Sequence, residues 1–187
     1  AEAEENNLDV LPHWARWHTC SLCKQEYHGV VRCALGWACW KAHVGRPEAD
    51  RARLGAMTEL GNGLYHAGHY EDSLPVREAD LSMLRRLGAA EGHILIAQSN
   101  LANTYRALRR FEEALLLRRE SYARRLRLSG EEDEETIREA LCYAMGLIDS
   151  IRFKEAKSLT RKTLPLARRV LGDSHDYTLT MRSNYSL

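Results

Sequence analysis

Leu101-Ala102-Asn103-Thr104-Tyr105, then Phe111-Glu112-Glu113-Ala114-Leu115, then Gly130: this stretch decides the fold. Leu101, Tyr105 and Leu108 recur at three- and four-residue intervals and so share one helix face, and Phe111, Leu115, Tyr122 and Leu126 share a face of the segment that follows. Two such faces joined by a few residues are buried together when the chain turns back on itself, which predicts an antiparallel helix pair. Gly130 closes the pair, because glycine accepts the left-handed backbone that ends a helix. Arg125 and Arg127 put positive charge near the negative end of the helix dipole.

The pattern occurs three times. Leu60-Gly61-Asn62-Gly63-Leu64 and Tyr143-Ala144-Met145-Gly146-Leu147 match the first anchor. Tyr70-Glu71-Asp72-Ser73-Leu74 and Phe153-Lys154-Glu155-Ala156-Lys157 match the second, and Gly88 and Gly172 match the closing glycine. Successive glycines stand 42 residues apart and the aromatics 41 and then 42, so the second helix of the first unit is short by one residue. Small residues recur at one place in each first helix (Gly61, Ala102, Ala144) and one in each second helix (Ser73, Ala114, Ala156), where they predict close helix approach. The units span about 52–94, 95–136 and 137–178. Met181-Arg182-Ser183-Asn184-Tyr185 opens a fourth, partial unit over 179–187, whose apolar face is expected to lack a cover. Pro75 is expected in a first turn, where its missing N–H costs little, and Pro165 deep in a helix that it should kink or interrupt.

Together these features resemble the tetratricopeptide repeat over residues 52–187. The long unit, with acidic residues and a threonine after Gly130 (Glu131 to Thr136) and Gly172-Asp173-Ser174-His175 running to Thr178, is similar to the kinesin light chain variety. The resemblance implies an all-α fold, a right-handed superhelical solenoid of antiparallel helix pairs, and a protein-interaction scaffold that holds a peptide or partner protein in its groove. Repeat register puts the groove floor at Thr58, Asn62, Tyr65, Ser99, Asn103, Arg106 and Met145. Asn62 and Asn103 are equivalent, and a side-chain amide can both donate to and accept from a peptide backbone; a plain helix-surface asparagine is the competing reading.

The N-terminus reads differently. Residues 1–12 form an acidic segment. Residues 13–44 form a Cys/Trp-rich one with all four tryptophans and four of the five cysteines, and Gly45-Arg46-Pro47 is the joint to the repeats. Cys20-Ser21-Leu22-Cys23 has the spacing that lets two thiolates reach one zinc ion at about 2.3 Å, half of a tetrahedral site. Cys33 and Cys39 read as small buried residues on an apolar helix of about 30–43, expected to cap the first repeat with Trp37 and Trp40 in its core. A self-contained site would use Cys20, Cys23, Cys33 and Cys39, with His18, His28 or His43 as substitutes, but the spacing fits no common zinc ribbon. Over residues 10–31, Trp14 and Trp17 ahead of Cys-x-x-Cys, followed by Lys24, Glu26, Tyr27 and His28, resemble the closing end of a RING-CH zinc domain. That resemblance implies Cys20 and Cys23 as a final ligand pair, an incomplete site, zinc only with an upstream segment, and no ubiquitin-ligase activity carried by these residues.

Composition narrows the rest. With 187 residues, 44% hydrophobic and 28% charged, the chain can bury a core, and a net charge of +1 gives no field that draws nucleic acid or an anionic membrane. The run Arg106, Arg109, Arg110, Arg118, Arg119, Arg124, Arg125 and Arg127 lies among Glu112, Glu113, Glu120 and Glu131–Glu135, so it reads as a salt-bridged face rather than a phosphate site. No membrane-spanning or signal segment is legible, and an intracellular, cytoplasmic location is expected. Both ends look cut, as in a fragment. His66, His69, His93 and His175 have no nucleophile or carboxylate at fixed spacing, and Gly61-x-Gly63 belongs to a helix, so no enzyme is expected. The expected function is protein binding. The alternatives are the substrate-recruiting part of a RING-CH-type ubiquitin ligase and a structural subunit of a larger assembly.

Overall fold

A computed structural model describes residues 14–185; the acidic segment at 1–12, His13 and residues 186–187 lie outside the described residues. Its helices are α1 (Gly29–His43), α2 (Arg51–His66), α3 (Tyr70–Arg86), α4 (Glu91–Ala107), α5 (Phe111–Ser129), α6 (Glu134–Asp149), α7 (Phe153–Leu171) and α8 (Asp176–Tyr185). Extended pairing among the described residues is confined to one antiparallel bridge, Thr19 with Glu26. The all-α class expected from the periodicity is therefore what the chain adopts. Two compact units, Ala1–Ala97 and Gln98–Leu187, divide within α4.

One turn joins the two helices of every pair. His69, Arg110 and Arg152 donate their N–H groups to the carbonyls of Leu64, Tyr105 and Leu147 at 3.0, 2.8 and 2.7 Å. The residue before each donor has positive φ: Gly68 at 80°, Arg109 at 60° and Ile151 at 60°. Only in the first pair is it glycine. A β-branched residue held there costs about 1 kcal/mol or more, and Ile151 is 75% exposed, so its side chain gives little back. Ile151→Gly is expected to stabilise the chain by about 1 kcal/mol, read as a higher denaturant midpoint at unchanged slope.

The missing residue of the first unit is visible at the end of α3. That helix has 17 residues against 19 in α5 and α7. It closes through Ala89 N–H to the Leu84 carbonyl (3.0 Å), whereas the Gly130 and Gly172 N–H groups each bond four residues back, to Leu126 and Arg168. The small-residue positions lie where the paired helices meet. Ser73 Oγ, fully buried, donates to the Gly61 carbonyl at 3.0 Å, and Ala102, Ala114, Ala144 and Ala156 are all buried.

Pro75 departs from its expected place. Pro75 is the sixth residue of α3, beyond the first turn, and Pro165 lies inside α7 without interrupting it. Each is on an exposed position, where water can serve the carbonyl that loses its donor.

In the first unit α1 lies against α2, backbone on backbone. A Cβ on Gly36 would fall 2.8 Å from the Glu59 carbonyl oxygen, and one on Gly63 would fall 2.7 Å from that of Arg32. Arg32, Gly36 and Cys39 form the buried stripe of α1, with Ala56, Met57, Leu60, Leu64, Leu81 and Leu84 the core beneath. Trp37 is not in that core: it is 44% exposed, as Val30 and Val31 are exposed, while Trp40 is half-buried. A helix apolar nearly all round can turn only one face inward, and the close glycine approach selects the face of Arg32, Gly36 and Cys39.

The second unit is built on Ile137, Ala140, Leu141, Leu164, Ala167 and Met181, with Tyr122, Met145, Leu171 and Tyr177 packed at the margin. Leu115, Leu147 and Ala156 form a second cluster. Met181 from α8 is buried in the first of these, so the opening of the partial unit rests on α6 and α7. Leu126 is 37% exposed, so the stripe read on α5 ends one turn early.

Candidate functional site

The residues expected to floor a groove find their partners within their own compact unit. Thr58 meets Asp80 (3.1 Å), and Asn62 Oδ1 accepts from Arg77 at 3.2 Å, with the same guanidinium 5.3 Å from the Tyr65 ring centroid. Arg118 donates to Ser99 (2.8 Å) and Asn103; Arg106 pairs with Asp149; Met145 packs on the core of the second unit. Arg77 and Arg118 are buried and stand fifteen residues after Asn62 and Asn103, so the first two repeats share an Asn–Arg clasp between first and second helix. The third repeat has Met145 and Thr160 at these positions. Sequence reading found the asparagines but not the arginines that hold them, although both recur in one register. Three further arginines of the run pair with acidic neighbours: Arg110 with Glu113 (2.8 Å), Arg124 with Glu120 (3.3 Å) and Arg125 with Glu135 (3.9 Å).

Asp80 is the most perturbed carboxylate of this network. Burial lifts its carboxyl to about 6, against the pull of the Thr58 hydroxyl and the Arg77 charge. The Thr58 hydroxyl has one proton but two acceptors, the Leu54 carbonyl at 3.3 Å and Asp80 Oδ2 at 3.1 Å. A protonated Asp80 can donate to Thr58 and leave its proton for Leu54. The folded pKa thus lies above the unfolded value of 3.8, so the contribution of the neutral acid is fully present below about pH 4 and is lost as pH rises through about 6. A rise of that size corresponds to roughly 3 kcal/mol as an upper bound. Asp80→Asn is expected to gain stability relative to the parent between pH 4 and 7, measured by denaturation at both pH values.

Next to this network α1, α2 and α3 leave a hollow of about 330 Å³ lined by Trp37, Trp40, Met57, Leu60, Pro75, Val76 and Ala79. All seven side chains are apolar. The hollow was missed in the sequence because Trp37 and Trp40 were expected to fill it as core.

Cys20 and Cys23 lie at the tip of a short hairpin. Cys20 N–H donates to the Gln25 carbonyl and Lys24 N–H to that of Cys20, both at 2.9 Å, and Lys24 adopts φ +59°. Backbone N–H groups of Cys23 and Leu22 aimed at Cys20 Sγ, with the Cys23 thiol and the Tyr27 hydroxyl, lower its thiol to about 7. Cys39 is fully buried and pushed up to about 12 by desolvation, with the Glu59 charge adding, so it remains a thiol. No group of three or more His, Cys, Asp or Glu side chains that could hold a metal occurs among the described residues.

A family model described as "Tetratricopeptide repeat" matches residues 94–135. The crystal structure of a Podosopora anserina protein, described as a kinesin light chain with nearly identical TPR-like repeats, superposes with a TM-score of 0.68 at 17% identity, over 83% of this chain and 73% of that one. A second crystal structure of that protein gives 0.69 over the same shares. BtubC (BKLC) from P. vanneervenii gives 0.66 at 15% identity, over 82% of this chain and 62% of that one. The fold is that of tetratricopeptide repeats. A search of curated proteins finds no match. No helix among the described residues is long and apolar enough to cross a membrane.

Proposed function

We propose that this chain is a protein-interaction scaffold that grips an apolar segment of a partner in the hollow between α1, α2 and α3. The observation that carries the reading is the seven-residue apolar lining with Trp37 44% exposed. Tryptophan buries a large apolar area at low conformational cost and dominates interfaces where it occurs. Repeats of this fold generally serve as interaction scaffolds, and the kinesin-light-chain length of the unit fits that use. The Asn–Arg clasps favour the hollow over the register-derived groove, since Asn62 and Asn103 already hold a guanidinium.

The ligase alternative needs zinc ligands that residues 14–185 do not gather, so the scaffold reading takes precedence. Selection of peptides against the purified chain tests it. Ligands are expected to carry a bulky apolar anchor, to bind with little salt dependence given the near-neutral charge, and to lose about tenfold or more in affinity with Trp37→Ala. Ligands that bind W37A as tightly as the parent would overturn the proposal.

A further inference from the structure

We propose that the solvent face of α7 is a docking surface for an acidic, extended segment of a partner protein, separate from the hollow of the first unit. α7 carries six basic residues and one acidic residue. With Ala156, Thr160, Thr163, Leu164 and Ala167 buried, helical geometry turns Lys154, Lys157, Arg161, Lys162, Arg168 and Arg169 outward together, and all six are exposed. Ser158 and Pro165 complete that face.

A basic face is ordinarily neutralised by its neighbours, as on α5, where Arg124 meets Glu120 and Arg125 meets Glu135. α7 is neutralised only at its C-terminal end, where Arg168 pairs with Asp173 (3.1 Å) and Arg169 with Glu132 (2.6 Å). Glu155, the one carboxylate of the helix, is held at both oxygens by Arg152, at 2.7 and 2.8 Å. Glu131 lines a small cavity together with Lys162. Lys157 lies over the Tyr185 ring, 5.4 Å from its centroid, which leaves its charge in place. Lys154, Arg161 and Lys162 meet no carboxylate within ion-pair reach among the described residues. Just over two turns of helix therefore present four cations without a counter-charge, although the whole chain is close to neutral.

The occupant follows from that charge and from the shape of the face. From Lys154 to Arg169 is about 22 Å of helix, the reach of about seven extended residues. Carboxylates on alternate positions of an extended segment recur about every 6.6 Å, close to the roughly 6 Å step from Lys157 to Arg161. A partner helix needs an apolar seam and a membrane needs apolar side chains to insert, yet Pro165 is the one apolar residue on the stripe. Single-stranded nucleic acid is gripped by rings interleaved with cations along a groove, whereas this face is a ridge with no ring of its own.

Fluorescence anisotropy with a labelled peptide of alternating glutamate and serine, about seven residues long, is the test. Binding is expected to weaken steeply as salt is raised, and Lys154→Glu/Arg161→Glu is expected to weaken it about tenfold or more. Lys154→Gln/Arg161→Gln is expected to lose less. Lys41→Glu/Arg51→Glu makes the same change in net charge on exposed residues of the first unit, and is expected to bind as the parent does. All the substituted side chains are exposed, so thermal unfolding of each variant is expected to match the parent. Absence of peptide binding, equal losses in the α7 and first-unit variants, or tighter binding to an oligothymidylate of the same length or to phosphatidylserine vesicles than to the peptide would overturn the proposal.

Discussion

Arg32→Ala is expected to lower the stability of the first unit by about 3–5 kcal/mol, the largest single-residue effect in the chain. Arg32 and Glu59 are 6% and 7% exposed and meet at 2.6 Å, with His18 3.6 Å from the second carboxylate oxygen. Removing the guanidinium leaves Glu59 buried beside a neutral wall and also frees the Trp17 carbonyl it held at 2.6 Å. Replacing both partners by methionine is expected to recover most of the loss, because the desolvation of two charges disappears with them. Denaturation of R32M, E59M and R32M/E59M measures this as a double-mutant cycle, with R32A alongside. A loss under about 1 kcal/mol in R32A would mean that water enters the pair.

Gly63→Ala and Gly36→Ala are the second large effect, and the sign makes them informative. In an open helix, glycine to alanine gains up to about 1 kcal/mol. At these two sites the new Cβ would lie 2.7 and 2.8 Å from backbone oxygens of the facing helix, which cannot swing aside as a side chain can. A loss of about 2–3 kcal/mol is expected for each, and more for a larger residue. Gly92→Ala in α4, with nothing within 4 Å, is expected to gain a few tenths to about 1 kcal/mol. Equal responses at Gly63 and Gly92 would contradict the close seam.

The helix pairs were legible because their punctuation repeats: an aromatic opening each second helix, a glycine ending it, and a small residue on each facing side. Even the one-residue deletion in the first unit could be placed. The orientation of α1 could not, since a segment such as Val30-Val31-Arg32-Cys33-Ala34-Leu35-Gly36-Trp37 has no polar side to give it phase. Its inward face was set by Gly36 and Gly63, a property of two helices together that neither displays alone. The clasp of Asn62 by Arg77 escaped for another reason, because a buried guanidinium looks in sequence like any surface arginine. The left-handed turn residues Arg109 and Ile151 were within reach, as both align with Gly68.

The hollow draws its wall from three helices: Trp37 and Trp40 from α1, Met57 and Leu60 from α2, Pro75, Val76 and Ala79 from α3. Docking of α1 and occupancy of the hollow are then linked equilibria. A ligand that needs both tryptophans meets only the fraction of molecules in which α1 is seated, and its apparent affinity falls in proportion to that fraction. By reciprocity, the same ligand raises the protection of α1 amides against hydrogen exchange, so substitutions at the α1–α2 seam, far from the ligand, should be read first as changes in binding.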